Sequence, residues 1–139
     1  MKYSDLTATQ KKAVCKELDI DKDDLENVMD KEDYLILTDE EADEKAAEYV
    51  KESIWAFNAS FLSGETGIDE EVFTAIQKND RCESNNPAIL SLVEANGGLD
   101  SFIENAISAD GRGNFLNTYD GNEIEINCGK QTIYAYRMN

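Results

Sequence analysis

The sequence contains no histidine, and this absence removes several kinds of active site. Ser-His-Asp and Cys-His mechanisms, histidine zinc ligands and histidine proton shuttles all need an imidazole. The three cysteines, Cys15, Cys82 and Cys128, are odd in number and widely spaced, so they predict neither a disulfide framework nor a CxxC metal site. We therefore expect buried or incidental thiols, no metal, no cofactor and no enzymatic activity.

Basic residues and long apolar runs are also scarce. Lysine and arginine together number 13 against 30 aspartates and glutamates, which gives a formal net charge of −17. That balance disfavours direct binding to nucleic acid or to an anionic membrane. Because no apolar signal segment and no run of about 18 apolar residues occurs, we expect a protein of the reducing cytoplasm. The length of 139 residues and the hydrophobic content of 41% are those of one folded domain.

The stretch 38–62, TDEEADEKAAEYVKESIWAFNASFL, predicts one long amphipathic helix. Thr38 and Glu41 have the spacing of a capping box, and acidic residues follow Thr38 at the positive end of the helix dipole. Apolar and small side chains recur every three or four residues, which is typical of a helix face packed on a core. The predicted core-facing residues are Ala42, Ala46, Tyr49, Val50, Ser53, Ile54 and Phe57.

A row of glutamates occupies the opposite face of this helix. Like charges four residues apart cost an isolated helix roughly 0.2–0.5 kcal/mol per pair, so the row does not help folding. Such carboxylates advance ~6 Å along the axis, comparable with two phosphate steps of ~3.4 Å on a DNA strand. Trp55 follows within about 20° of the row at ~100° per residue. We interpret the row and Trp55 as a candidate partner-binding surface, with a merely solubilising face as the alternative. The row consists of Glu40, Glu44, Glu48 and Glu52.

Residues 1–33 are expected to be helical and acidic. Thr7 and Gln10 match a capping box for a first helix over 4–17. The acidic connector 19–33 begins with Asp19, Asp21 and Asp23, the spacing of the first calcium ligands in an EF-hand. The match then fails, because Asp24 replaces the required glycine, so a solvated acidic turn is the preferred interpretation.

Two further helices are predicted from their first residues. Asp69 precedes a helix over 70–78, and Pro87, which suits the first helical position, begins another over 87–95. The expected inner face of the 70–78 helix consists of Val72, Phe73 and Ile76.

The C-terminal residues change to strand-like alternation. Segments 122–128 and 131–137 alternate about Gly129 and predict a β-hairpin, with Ile124, Ile126, Ile133 and Ala135 on one side and Tyr134 and Tyr136 on the other. A hairpin alone is marginal, so we expect it to pair with 34–37 or 114–119, or to lie on the helices. Together these elements predict an α+β, helix-rich single domain over 1–139, with a small C-terminal antiparallel hairpin or sheet packed on the helices.

The sequence DGRG at 110–113 is the glycine-rich loop that contains a charged side chain. Backbone N–H groups and the Arg112 guanidinium would suit an anion, and Asp110, Asp120 and Glu123 would suit a carboxylate cluster. These four residues are therefore a candidate anion or ligand loop. Neither a Walker spacing nor GxGxxG is present. In the alternative interpretation, Asp110 caps the loop, the glycines serve turn geometry and Arg112 forms an ion pair with nearby acids.

The stretches LTDEEADEKAAEYVKESIWAFNASFL and SADGRGNFLNTYDGNEIEIN, followed by IYAYRMN, resemble a group of small acidic proteins carried by bacteriophages, prophages and other mobile elements. The similarity covers about residues 34–139, and 1–33 is the more variable segment. The resemblance implies an accessory protein in the bacterial cytoplasm and implies no catalytic residues.

These observations favour a non-enzymatic, acidic protein that acts by protein–protein interaction. The expected partner is a basic host protein that binds nucleic acid, such as a restriction or CRISPR effector, which the acidic row would inhibit by mimicking nucleic acid. One alternative is a small ligand- or metal-binding module or enzyme centred on the 110–123 loop. Another is a structural or assembly protein.

Overall fold

A computed structural model describes residues 1–79 and 83–139, and in these residues the chain has an α+β fold. Eight α-helices, three short 3-10 turns and one three-stranded antiparallel sheet make up the described part. In chain order the helices and strands are α1 Ala8–Leu18, α2 Lys22–Asp30, β1 Tyr34–Thr38, α3 Asp39–Glu52, α4 Ala59–Thr66, α5 Glu70–Asn79, α6 Asn86–Ala95, α7 Leu99–Asp110, α8 Arg112–Leu116, β2 Ile124–Cys128 and β3 Gln131–Arg137.

The chain divides into two compact units. The first contains Met1–Ala46 and Asp110–Asn139, and the second contains Ala47–Ala109. All three strands belong to the first unit, and the second is helical. The predicted hairpin therefore completes a unit that is built from both ends of the chain.

The sheet of the first unit has the strand order β1-β3-β2, with both pairings antiparallel. The hairpin prediction is confirmed, since β2 and β3 flank Gly129, whose φ of 78° suits glycine in the turn. Of the two predicted pairing segments, 34–37 is right. Segment 114–119 is wrong as a strand, because residues up to Leu116 belong to α8.

One face of the sheet forms the main apolar core of this unit. The side chains that meet there come from α1, α2, all three strands and the residue before the α1 cap: Leu6, Val14, Leu25, Ile36, Ile126, Ile133 and Ala135. Ile124 packs against this cluster, so the predicted apolar side of the hairpin is confirmed. Alternation places Tyr134 and Tyr136 on the other face, where Tyr136 is fully buried.

Both predicted capping boxes are present. Thr7 Oγ1 accepts from the Gln10 N–H and Gln10 Oε1 accepts from the Thr7 N–H, at 3.1 and 2.9 Å. Thr38 and Glu41 make the equivalent bonds at 3.2 and 3.0 Å. The predicted start of the first helix at residue 4 is wrong, because Thr7 is the cap and α1 begins after it.

The prediction of one helix over 38–62 is also wrong, since α3 ends at Glu52. The Ser53 hydroxyl donates to the Tyr49 carbonyl at 2.6 Å, and a 3-10 turn, Ile54–Ala56, follows. Asn86 stabilises this break, because its side chain donates to the Lys51 carbonyl at 2.8 Å and accepts from the Trp55 N–H at 3.1 Å. Backbone groups freed by the end of the helix are thus satisfied by a side chain from α6.

The core face of α3 is only partly as predicted. Ala42, Ala46, Val50 and, beyond the helix end, Ile54 are fully buried, whereas Tyr49 is 47% exposed. The predicted inward orientation of Tyr49 is therefore wrong.

The second unit packs its helices around a small aromatic group. The rings of Phe57, Phe61 and Phe102 lie 5.2–5.7 Å apart, with Phe102 in edge-on contact with the other two. Asp69 Oδ1 accepts from the Glu71 N–H at 2.9 Å at the predicted start of α5. On α5, Phe73 is buried and Ile76 partly buried, but Val72 is 43% exposed, so its predicted inward orientation is wrong.

Candidate functional site

The most highly connected polar group in the first unit is the guanidinium of Arg112, at the start of α8. Its Nε and Nη2 donate to the two carboxylate oxygens of Glu123 at 2.9 and 3.1 Å, in the forked geometry that suits arginine. Its Nη1 donates to Asp39 Oδ1 at 2.8 Å and to Asp43 Oδ1 at 3.0 Å, both on the first turns of α3. We call Arg112, Asp39, Asp43, Glu123 and Tyr136 the Arg112 cluster.

Two tyrosines of β3 complete the surroundings of this guanidinium. The Tyr136 hydroxyl donates to Glu123 Oε2 at 2.5 Å, and the guanidinium carbon of Arg112 lies 4.5 Å from the Tyr134 ring centre. Burial and the hydrogen bond to the Glu123 carboxylate raise the pKa of Tyr136 well above its ordinary value. Burial opposes the charge of Arg112, but hydrogen bonds to Glu123 and Asp39 outweigh it and raise the pKa of Arg112. Both groups therefore keep their protons at neutral pH.

The Arg112 guanidinium is occupied by carboxylates of the protein itself. Only 11% of the Arg112 side chain is exposed, and its donors already contact three carboxylates, so an anion would have to displace them. The alternative interpretation, an ion pair of Arg112 with nearby acids, is confirmed. Asp110 ends α7, and Asp120 accepts from the Asn122 N–H, so neither belongs to the Arg112 cluster.

Metal binding gains no support from this geometry. Across residues 1–79 and 83–139, no three cysteine or carboxylate side chains come together in a way that would hold a metal ion. The three carboxylates around Arg112 surround a cation that the protein itself supplies.

Gly113 is needed for close backbone packing, whereas the sequence predicts only a role in turn geometry. A Cβ at this position would lie 2.5 Å from the Gly121 carbonyl oxygen and 2.8 Å from backbone atoms of Asn122 and Glu123. The backbone of α8 thus packs directly against the segment that supplies Glu123. Gly111 has a different role, since its φ of 82° is a conformation that favours glycine before the first residue of α8.

The acidic row lies on α3, with Glu40 and Glu44 in the first unit and Glu48 and Glu52 in the second. All four residues are exposed. Ion pairs in the described ranges are those of Arg112 and that of the Met1 ammonium with Glu41, so the row forms none there. The row is therefore a set of solvated charges without an intramolecular counterion in the part that the structure describes.

Trp55 does not continue the acidic row as predicted. The helical phase that placed it there ends with α3 at Glu52, and Trp55 lies in the 3-10 turn that follows. The residue is partly buried, and its carbonyl accepts from the buried side chain of Gln77 at 3.1 Å. Trp55 thus belongs to the stabilised break of the helix, which weakens its assignment as an exposed anchor.

The cysteines give no indication of catalysis. Cys15 and Cys128 are free, partly buried thiols that pack against the main apolar core, and burial raises the pKa of each. A raised pKa lowers the thiolate fraction at neutral pH and with it the reactivity. Cys82 lies outside the described residues.

Comparisons with protein-family models, curated proteins and solved structures find no match for this chain. Of the helices described, none combines the length and apolar character that crossing a membrane requires.

Proposed function

We propose that this protein is a non-enzymatic, acidic interaction protein of a phage or mobile element. It binds a basic, nucleic-acid-binding host protein in the bacterial cytoplasm and competes with that protein's nucleic acid. The mobile-element origin rests on the sequence resemblance described above. The choice of partner rests on charge, because a protein of net charge −17 is attracted to basic surfaces and repelled by phosphates.

One observation carries the proposal: α3 presents two kinds of acidic residue. Asp39 and Asp43 are held by Arg112, whereas the four glutamates of the row are exposed and form no ion pair in the described residues. Along a helix, carboxylates four residues apart are separated by ~6 Å in the axial direction. A groove that binds the phosphates of a nucleic-acid strand would find charges at a comparable spacing.

Direct binding assays with purified restriction and CRISPR effectors test the proposal. We expect binding to weaken at least tenfold between about 50 and 500 mM salt, because ion pairs between exposed charges are screened. Duplex DNA should compete with the protein for the same effector. A complex that holds equally well at both salt concentrations would contradict the mimicry.

A charge-matched pair of variants shows whether the row itself is responsible. Changing its four glutamates to glutamine should weaken binding strongly, whereas the same number of changes at exposed glutamates of α5, α6 and α7 should have a small effect. Equal losses in the two variants would show that overall charge, and not the row, attracts the partner. The control positions are Glu70, Glu71, Glu94 and Glu104.

A further inference from the structure

The first unit has an open groove along the outer edge of β1. Because the strand order is β1-β3-β2, β1 pairs with β3 on one side and has no strand on the other. The groove beside it has a volume of about 680 Å³ and is lined by β1, α2, the first turns of α3 and the N-terminal residues. This volume is within the usual range of ligand pockets, roughly 300–1,000 Å³.

The register identifies the backbone groups that face the groove. Met138 N–H donates to the Asp33 carbonyl at 2.9 Å, which extends the β1–β3 ladder by one residue. Hydrogen bonds to one neighbour alternate along an antiparallel strand, so the odd-numbered residues of β1 bond to β3 and the even-numbered ones face outward. Thr38 agrees with this assignment, since its N–H is taken by Glu41 rather than by β3.

Tyr34 is the accessible outward-facing residue of β1. Ile36 also faces outward, but it is only 1% exposed, so an incoming chain cannot reach its backbone without local movement. Tyr34 is partly buried, and no hydrogen bond outside the ladder reaches its backbone in the described part of the chain. Its N–H and C=O groups can therefore pair with one residue of an extended peptide.

The charge of the groove indicates what kind of peptide would fit. Five carboxylates and two lysines line it, and three of those carboxylates, Glu26, Asp30 and Glu32, are exposed and form no ion pair within the described residues. Glu26 and Asp30 lie one turn apart on α2 with Met29 beside them. A long basic side chain could extend its alkyl part along Met29 and place its charge at these carboxylates.

We propose that this groove binds an extended segment of a partner protein in which basic and apolar residues alternate. The segment adds to the edge of β1 at Tyr34, and its basic side chains lie along Met29 and contact Glu26, Asp30 and Glu32. Its apolar side chains point to the other face of the sheet, where Leu35 lines the groove. This mode is strand addition, in which main-chain hydrogen bonds supply affinity and side-chain contacts supply specificity. The inference goes beyond the proposed function and does not depend on the α3 row.

The probe is a short fluorescent peptide that alternates lysine and valine, titrated against the whole protein. We expect saturable binding and amide chemical-shift changes centred on Tyr34 and on α2. A peptide that alternates glutamate and valine should not bind. Chemical-shift changes spread evenly over acidic residues, or changes confined to α3, would overturn the assignment.

A groove variant and a charge-matched control distinguish binding in the groove from general attraction of the basic peptide to an acidic protein. The double variant E26Q/D30N should bind the lysine–valine peptide about five- to tenfold more weakly, since two exposed ion pairs are lost. The control E17Q/D23N removes the same charge from exposed positions of α1 and α2 outside the groove and should change affinity less than twofold. Equal losses in the two variants would overturn the site.

Backbone pairing has its own test. The lysine–valine peptide methylated on every backbone nitrogen keeps its charge but cannot donate main-chain hydrogen bonds, and we expect at least fivefold weaker binding. Unchanged affinity would overturn strand addition. The quadruple glutamine variant of the α3 row should bind the peptide nearly normally, so failure of this inference and failure of the proposed function give different results.

Discussion

Two sets of acidic residues on α3 share the same four-residue spacing and differ in what surrounds them. Asp39 and Asp43 both bond to Arg112, a residue about seventy positions away in the chain, while Glu40 and Glu44 next to them form no ion pair in the described residues. The spacing therefore shows which charges share a helix face, but not which charges the fold neutralises. The glutamate row, whose charges are not neutralised, is therefore the better candidate for a partner-binding surface.

The largest effect should come from Gly113→Ala, which displaces the 121–123 segment that supplies Glu123 to Arg112. The new Cβ would meet backbone atoms at 2.5–2.8 Å, and backbone cannot yield as a flexible side chain can. We expect a loss of unfolding free energy of about 3 kcal/mol or more, measured by urea denaturation.

Gly64 of α4 is the matched control for that prediction. It is also a helical glycine, but a Cβ there would have nothing within 4 Å. Gly64→Ala should therefore stabilise the protein by about 0.5–1 kcal/mol, because alanine loses less conformational freedom on folding. Destabilisation of similar size in both variants would mean that packing of α8 against 121–123 is not the cause.

Removing the shared cation should be the next largest change. Arg112→Met keeps much of the packing on Tyr134 but takes the guanidinium away from three carboxylates, of which Glu123 retains the Tyr136 hydroxyl as a donor, and we expect a loss of about 2–3 kcal/mol. Asp39 and Asp43 are 65% and 62% exposed, so water limits the loss at those two positions. Arg112→Lys retains the charge but not the fork and should recover part of the stability. If Arg112→Met were as stable as the wild type, the Arg112 cluster would not hold the first unit together.

The acidic row should respond in the opposite direction. Changing its four glutamates to glutamine removes three like-charged pairs at four-residue spacing, and we expect a gain of about 1 kcal/mol in unfolding free energy. Asp39→Asn with Asp43→Asn should instead destabilise, because Arg112 then loses two charged partners. The unfolding free energies of these two variants, compared at low and high salt, test whether the fold neutralises Asp39 and Asp43 but not the row. Destabilisation by the row variant would show that the row has a counterion within the molecule.

The features predicted correctly from the sequence depend on neighbours in the chain. Thr38 and Glu41 are three residues apart, and their capping box needs no residue from elsewhere in the chain. The alternation about Gly129 likewise predicts the hairpin from neighbouring residues alone. The end of α3 could not be predicted like this. Asn86 holds backbone groups on both sides of Ser53, and Gln77 holds the Trp55 and Phe57 carbonyls, over separations of 20–35 residues.

The candidate site shows the same limit. The exposed glutamates follow from helical periodicity, but the partners of Arg112 come from α3, from Tyr134 of β3 and from the segment before β2, and no local pattern relates them. Gly113 and Gly121 meet where Arg112 and Glu123 are brought together, so the DGRG and YDG segments are adjacent in the fold although seven residues separate the two glycines.

The smallest predicted effect distinguishes a third acidic position on α3. Glu41 accepts hydrogen bonds from the Thr38 N–H and the Met1 ammonium, and although burial opposes its charge, these bonds lower its pKa. A carboxylate whose pKa is lowered by folding stabilises the protein above its unfolded pKa of about 4.3, and this contribution is lost as the pH falls through the folded value. Glu41→Gln, which keeps a capping side chain, should lose roughly 0.2–1 kcal/mol at pH 7 and progressively less as the pH falls below about 4.3. Glu44→Gln, measured beside it by urea denaturation, should show no such loss at pH 7, because Glu44 has no bonded partner in the described residues. A loss at Glu44 equal to that at Glu41 would mean that the hydrogen bonds of Glu41 are not the cause of its loss.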